Sequence, residues 1–268
     1  MGAPPSTSSR PTPARRLTLA VIGRGRMGRL VAEEARERGH RVALELGSRD
    51  NSAGAGLAGA ALDGVDVALE FTTPEAAPAN VERCLERGVS VVCGTTGWAD
   101  GARAARLAEL AERRGAGLVI APNFALGVLL FRRLVRRAAE LAGRDELFDL
   151  WIEETHHRGK RDAPSGTALA LAEDVLAHLP QKQVLRTTAP DAGTALRPEE
   201  LAVVSVRGGS EPGLHRVVVD APDETIELVH RVRSRRVFAL GALRAAEALG
   251  SRTGLVELER LLLDGPGA

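Results

Sequence analysis

Leu17-Thr-Leu-Ala-Val-Ile-Gly23-Arg24-Gly25-Arg26-Met27-Gly28 decides the fold. The first six residues are a nearly continuous apolar run, the pattern of a parallel strand buried on both faces. Three glycines at G-x-G-x-x-G spacing follow, and an amphipathic run from Met27 to Arg38 ends at Gly39, a helix stop. Moving outward, strand patterns recur at Val42–Leu46, Val65–Phe71, Val89–Cys93 and Gly117–Ala121. Helical patterns lie between them at Glu75–Arg87 and Ala102–Arg114. Strand and helix in alternation predict an α/β domain with a doubly wound, Rossmann-like parallel sheet over residues 17–127.

The pattern changes beyond residue 128. A helix is predicted at Leu129–Leu141, a strand at Leu147–Thr155 and a helix at Thr167–His178; residues 180–200 read as loop. Three strands at Ala202–Arg207, His215–Ala221 and Thr225–Val232 have hairpin-like spacing, which predicts a smaller α+β domain with a mixed or antiparallel sheet over 128–237. An amphipathic helix, Phe238–Leu249, lies in a C-terminal segment (238–268) expected to return to the first domain.

Composition bounds the function. The 268 residues carry a formal net charge of +1, with 44% hydrophobic and 26% charged residues, ordinary for a soluble globular chain. That balance argues against a nucleic-acid partner, which would call for a basic excess. The longest apolar stretch, Val119–Phe131, is interrupted by Pro122 and Asn123 and is too short to span a bilayer. Cys84 and Cys93 fit neither a disulfide framework nor a zinc spacing, so a reduced, cytoplasmic protein without a metal site is expected. Residues 1–16, rich in Pro, Ser and Arg, are expected to be a disordered leader; a transit peptide or a myristoylation signal is the alternative.

Chemistry enters at the glycine turn. Gly23 permits the tight turn, Gly25 lets backbone approach a pyrophosphate, and Gly28 lets the helix pack on the strand. Phosphates would sit on free N–H groups at the helix N-terminus, with Arg24 and Arg26 adding charge beside Met27. Two further loops fall at C-terminal strand ends, Phe71-Thr-Thr-Pro-Glu75 and Cys93-Gly94-Thr95-Thr96-Gly97, and Ala121-Pro122-Asn123-Phe124 makes a third. Small residues and hydroxyls there suit a ribose and a nicotinamide. The NADP-selecting position, about 20 residues past the turn, is Gly47-Ser48-Arg49-Asp50. Arg49 is placed for a 2′-phosphate, so NADPH is expected to be preferred, with NADH also used.

The second domain opens with a different signal. His156-His157-Arg158-Gly159-Lys160-Arg161 sets five potentially cationic side chains within six residues, and Pro164-Ser165-Gly166-Thr167 behind them starts a helix. Cations followed by a helix N-terminus make two anion sites, which suits a dicarboxylate. Among 36 Lys and Arg residues only Lys160 and Lys182 are lysine, which makes a lysine in this segment informative.

The segment resembles the signature of the dihydrodipicolinate reductase family: paired histidines, a lysine four after the first, then D-A-P-S-G-T. FTTPE, CGTTGW, APNFALGV and the ETIELVHRVRSRRVFALGALRAAEAL stretch are similar as well, and the resemblance covers roughly residues 17–250. It implies reduction of 4-hydroxy-tetrahydrodipicolinate, or its dehydrated form, to tetrahydrodipicolinate on the diaminopimelate route to lysine. It further implies His156 and Lys160 as the acid–base pair, His157 as a substrate contact, and Gly166 and Thr167 as a carboxylate site. Gly94, Thr95, Thr96 and residues 121–124 would line the nicotinamide side. A homotetramer assembled through the sheet of the second domain is implied too. The glycine turn is one residue shorter than in familiar members, and Gly213-Leu214-His215 has no acid where G-E-H is common.

Two other readings compete. An aspartate-semialdehyde-type dehydrogenase would need a nucleophilic cysteine in the second domain, and none is there. A non-enzymatic NAD(H)-binding sensor is opposed by the intact His156 and Lys160.

Overall fold

The computed structural model describes residues 15–188 and 194–264, so the expected leader lies almost wholly outside the described residues. The described residues divide into two compact units, one of residues up to 124 together with those from 238 onward, the other of residues between 125 and 237.

In the first unit, β1 (Thr18–Ile22), α1 (Arg26–Glu37), β2 (Arg41–Leu46), β3 (Val67–Glu70), α2 (Ala77–Glu86), β4 (Ser90–Cys93), α3 (Gly101–Arg113) and β5 (Gly117–Ile120) alternate as the apolar runs require. The strands pair in parallel in the order β2-β1-β3-β4-β5. The chain leaves β1 for β2 on one side and returns for β3 on the other. Between β1 and β3 lies the switch point where ligands of such sheets bind, at the carboxyl ends of the strands. Ala20, Ile22, Ala68, Val91 and Leu118 from four strands pack against Val81, Leu85 and Leu107 from the helices.

In the second unit come α4 (Leu126–Ala142), β6 (Asp149–His156), α5 (Gly166–His178), β7 (Val184–Arg186), β8 (Glu200–Arg207), β9 (Leu214–Ala221) and β10 (Glu224–Arg231). The sheet order is β10-β9-β6-β8-β7; the β10–β9 and β9–β6 pairs are antiparallel and the β6–β8 and β8–β7 pairs parallel, so the sheet is mixed. β6 alternates buried and half-buried residues, and Leu150 and Ile152 meet Phe131, Val135, Leu171 and Val175 of the two helices. The stretch expected to be loop at 180–200 contains β7. Three residues with no buried side chain carry no alternation to read. They become a strand because the neighbouring β8 edge accepts them and Lys182 ties the turn to the carbonyls of Pro198 and Glu200, each at 2.9 Å.

The chain then forms α6 (Arg236–Leu249), β11 (Gly254–Leu255) and α7 (Leu258–Leu263). β11 adds a sixth parallel strand beside β5, unforeseen because two residues carry no period. α6 from Phe238 onward belongs to the first unit. Glu247 of that helix receives a bidentate Arg38 guanidinium at 2.8 Å and 2.9 Å, and buried His40 lies 2.8 Å away. His40 Nδ1 accepts from Leu17 N–H, so its other nitrogen carries the proton toward Glu247.

Candidate active site

The glycine turn of the first unit is built as its residues demand. Gly23 has φ of 109°, and a Cβ there would come within 2.2 Å of the Phe71 carbonyl oxygen. A Cβ on Gly28 would strike the Gly23 carbonyl oxygen at 1.7 Å. Around Gly25 the Cβ position is open for 4 Å, so nothing in the protein itself excludes a side chain. Open space at that position, before an α1 N-terminus with no side-chain cap and no acid in its first turn, fits a pyrophosphate. A cavity of about 830 Å³ adjoins the turn, lined by Gly23, Arg24, Gly25, Arg49, Phe71 and Thr72 among others.

Charge in that cavity is mixed. Arg24 donates to Asp50 Oδ2 at 3.0 Å and to the Glu45 carbonyl at 2.9 Å, while Asp50 also accepts from Gly47 N–H at 3.3 Å. The Glu45 carboxylate is drawn off by Arg36. Arg49 and Arg26 are exposed. Asp50, which falls past Arg49 in sequence, thus bends back into the turn, a position that strand pattern could not supply.

The three loops after β3, β4 and β5 are knitted together. A Cβ on Gly94 would overlap the Phe71 ring at 2.2 Å, and the Phe71 and Phe124 rings meet edge to face at 6.2 Å. Beneath them Glu70, fully buried, accepts from Thr95 Oγ1 at 2.5 Å, Cys93 Sγ at 3.2 Å, Asn80 Nδ2 at 3.3 Å and the Thr72 hydroxyl. Burial and the Glu70 charge push the Cys93 thiol well up, and Cys84 up to about 12 for the same reasons. Neither cysteine is a nucleophile at neutral pH, which removes the thioester chemistry of the semialdehyde-type reading. Thr95, Ala121 and Phe124 are buried, and Thr96 and Pro122 are exposed.

In the second unit β6 carries His156 to its C-terminal end, and the loop beyond places Lys160 Nζ 2.7 Å and 2.8 Å from the two oxygens of Asp162. Ser165 caps α5, its hydroxyl accepting from Ala168 N–H at 3.2 Å. Gly166 and Thr167 form the first turn, which has no acid, and the Cβ position of Gly166 is open for 4 Å. His156 is buried and His157 half-buried, while Arg158 and Arg161 point to solvent.

Behind these lies a cluster that motif reading missed. Buried Glu154 accepts from Ser205 Oγ, Arg207 Nη2 and Ser165 N–H, and lies beside His156 and His215. Burial pushes the Glu154 carboxyl up, but the hydrogen bonds from Ser165, Arg207 and Ser205 together outweigh it and hold the group at about 2. Burial lowers His156, reinforced by Lys160 and Arg207 and opposed by Glu154. Burial and the neighbouring His156 push His215 down to about 4. Ligand-capable atoms of Glu154, His156 and His215 fall within 4.8 Å of one another, but Arg207 already balances this carboxylate at 2.7 Å. Glu154 had one readable signal, its place two residues before His156 and hence on the same face of a strand.

Residues 17–124 match the model of the dihydrodipicolinate reductase N-terminus, and residues 127–262 that of the dihydrodipicolinate reductase C-terminus. The chain belongs to the dihydrodipicolinate reductase family. It is 42% identical over 248 residues to the 4-hydroxy-tetrahydrodipicolinate reductase of Archaeoglobus fulgidus, covering 86% of this chain and 93% of the relative. The corresponding protein of Rubrobacter xylanophilus is 40% identical over 268 residues, covering 94% and 99%. A dipicolinate-bound dihydrodipicolinate reductase from Paenisporosarcina sp. TG-14 superposes with a TM-score of 0.74 at 25% identity, covering 92% of this chain and all of the other. An amine dehydrogenase from Mycobacterium smegmatis shares the fold at a TM-score of 0.60 and 14% identity. As a dihydrodipicolinate reductase family member the chain is an oxidoreductase.

Proposed function

We propose that this enzyme reduces 4-hydroxy-tetrahydrodipicolinate, or its dehydrated form, to tetrahydrodipicolinate with NAD(P)H, on the diaminopimelate route to lysine. The observation that carries the reading is the β6–α5 connection, which sets a buried histidine, an ion-paired lysine and an acid-free helix start within one short segment. The names of the relatives supply the substrate class.

The nicotinamide, when bound, supplies the hydride. The residues of the chain do the rest. Gly23, Gly25 and Gly28 with Arg24, Arg26 and Met27 hold the pyrophosphate at α1. Phe71, Gly94, Thr95, Thr96 and Ala121 to Phe124 hold the nicotinamide side. Gly166 and Thr167 bind one carboxylate at the α5 N-terminus, and His157 contacts the substrate. Reduction of a conjugated imine leaves negative charge on the substrate; His156 and Lys160 neutralise it by giving a proton. Arg49 pairs with a 2′-phosphate and favours NADPH, while Asp50 in the same cavity leaves room for NADH. The reading includes a cytoplasmic homotetramer.

The test is nicotinamide oxidation by the purified enzyme, driven by the freshly formed product of dihydrodipicolinate synthase, with NADPH and NADH in parallel. Substrate-dependent turnover with both, higher for NADPH, is expected; binding without turnover would favour the sensor reading. Arg49→Ala should raise the KM for NADPH about tenfold, the scale of one charge-assisted hydrogen bond, and leave NADH nearly unchanged.

A further inference from the structure

The two oxygens of Glu154 are used unequally. Oε1 accepts from Ser165 N–H at 2.9 Å, Ser205 Oγ at 2.7 Å and Arg207 Nη2 at 2.7 Å. Oε2 takes none of these. It lies 3.2 Å from His156 Nδ1 and 3.7 Å from His215 Nε2, within ion-pair reach, and neither Oε2 nor His156 Nδ1 makes a hydrogen bond. All three donors to Oε1 are structural: a strand hydroxyl, a strand guanidinium and the amide of the residue that caps α5. An oxygen kept clear of them and turned to a histidine has a separate use.

We propose that Glu154 is a positioning residue for the reduction: one carboxylate oxygen holds His156 by Nδ1 and leaves Nε2 for the substrate, while the other anchors the start of α5. The proposal rests on His156 acting in proton transfer. A carboxylate facing Nδ1 selects the tautomer with the proton there and stabilises the ring when it is charged. Both anion-handling parts of the second unit, the histidine and the helix N-terminus, then hang from a single buried group. Gly213 completes the seat, since a Cβ at that position would come within 3.1 Å of His156 Nε2.

Glu154→Gln separates this role from a structural one. The amide oxygen can still accept the three bonds on the Oε1 side, but the –NH2 on the other side can only donate, which forces the opposite His156 tautomer. Turnover should fall about 100-fold, the lower range for general acid–base catalysis, with nicotinamide-cofactor affinity unchanged. The charges facing His156 are Glu154 on its own strand, Lys160 and Asp162 on the following loop, Arg207 on β8 and His215 on β9. Of these, Glu154 and, less strongly, Asp162 raise the affinity of the ring for a proton, and neutralising Glu154 removes the larger of the two. Its neutralisation should therefore move the pH limb of kcat/KM that reports protonated His156 to lower pH. His156→Ala with Glu154→Gln should lose no more than His156→Ala alone.

Losses that multiply in the double variant, or a Glu154→Gln enzyme with parental turnover and pH profile, would overturn the proposal. A His156→Ala enzyme with parental turnover would instead remove the proton-transfer reading beneath it. Nitrogen-15 NMR of the histidines in the parent enzyme needs no folded variant. Neutral His156 protonated on Nδ1 is expected, and protonation on Nε2 would overturn the assignment. Turnover that a chelator abolishes and zinc restores would give the carboxylate to a metal instead.

Discussion

At Lys160 the ammonium is held by both oxygens of Asp162, so its position is set before any substrate arrives. In a chain that uses arginine almost everywhere, a guanidinium would keep the charge here but could not release a proton. Lys160→Arg is expected to lower kcat by about 100-fold or more, as loss of an acid–base group does, with little change in cofactor binding. Steady-state kinetics checks this, and a near-parental kcat would reduce Lys160 to an electrostatic anchor. His215 makes a second prediction at the same scale. The unfolded chain protonates it near 6.5, while the folded chain holds it down to about 4. Its contribution to stability is therefore complete above pH 6.5 and is lost as pH falls toward 4. A shift of that size is worth roughly 3 kcal/mol at most. The drop in Tm between pH 7 and pH 4.5 should be smaller in His215→Gln than in the parent; equal drops would place the acid sensitivity in other groups.

Among the elements, α5 and β6 work as a pair. Alternation along β6 puts Leu150 and Ile152 into the core and, by the same period, carries Glu154 and His156 onto that face at the strand end. α5 begins where Ser165 N–H is held by Glu154 and the Ser165 hydroxyl closes its own first turn. The first turn has no acid to repel an anion. Thr167→Val should raise the inhibition constant of pyridine-2,6-dicarboxylate about tenfold, the worth of one hydrogen bond to a charged group. Cofactor affinity should stay as it is. Competition assays read both, and unchanged inhibition would move the carboxylate site away from α5.

For the whole molecule, the face of the mixed sheet opposite α4 and α5 stands out. Val229, Val204 and Val206 are 53%, 50% and 48% exposed there, close to Trp151 and Leu214 in the strand register. In the register the Glu153–Arg216 ion pair stands between Val204 and Val229, so this face sets exposed valines around paired charges. The homotetramer proposed above would cover these valines in an isologous contact. Val204→Asp together with Val229→Asp should dissociate the assembly, read by sedimentation velocity; a variant that still sediments as the parent would put the interface elsewhere.

The parallel sheet, the glycine turn and the β6–α5 segment were legible because each rests on local periods and short motifs. Apolar runs such as Leu17–Ile22 have few other places to go, and Gly23 and Gly28 stand where the backbone leaves no room for a Cβ. The roles proposed for Lys160 and Thr167 rest on the same kind of local signal, since both lie within a dozen residues of His156. β7 and β11 were not, because strands of three and two residues carry no period and exist only where a neighbouring edge accepts them. Tertiary structure alone decided the company of Glu154. Ser165, Ser205, Arg207 and His215 come to it from α5, β8 and β9 through pairings up to 61 residues apart in the chain, as Glu154 facing His215 is. A buried carboxylate is stable only where folding has gathered its donors, and no stretch of sequence holds them together beforehand.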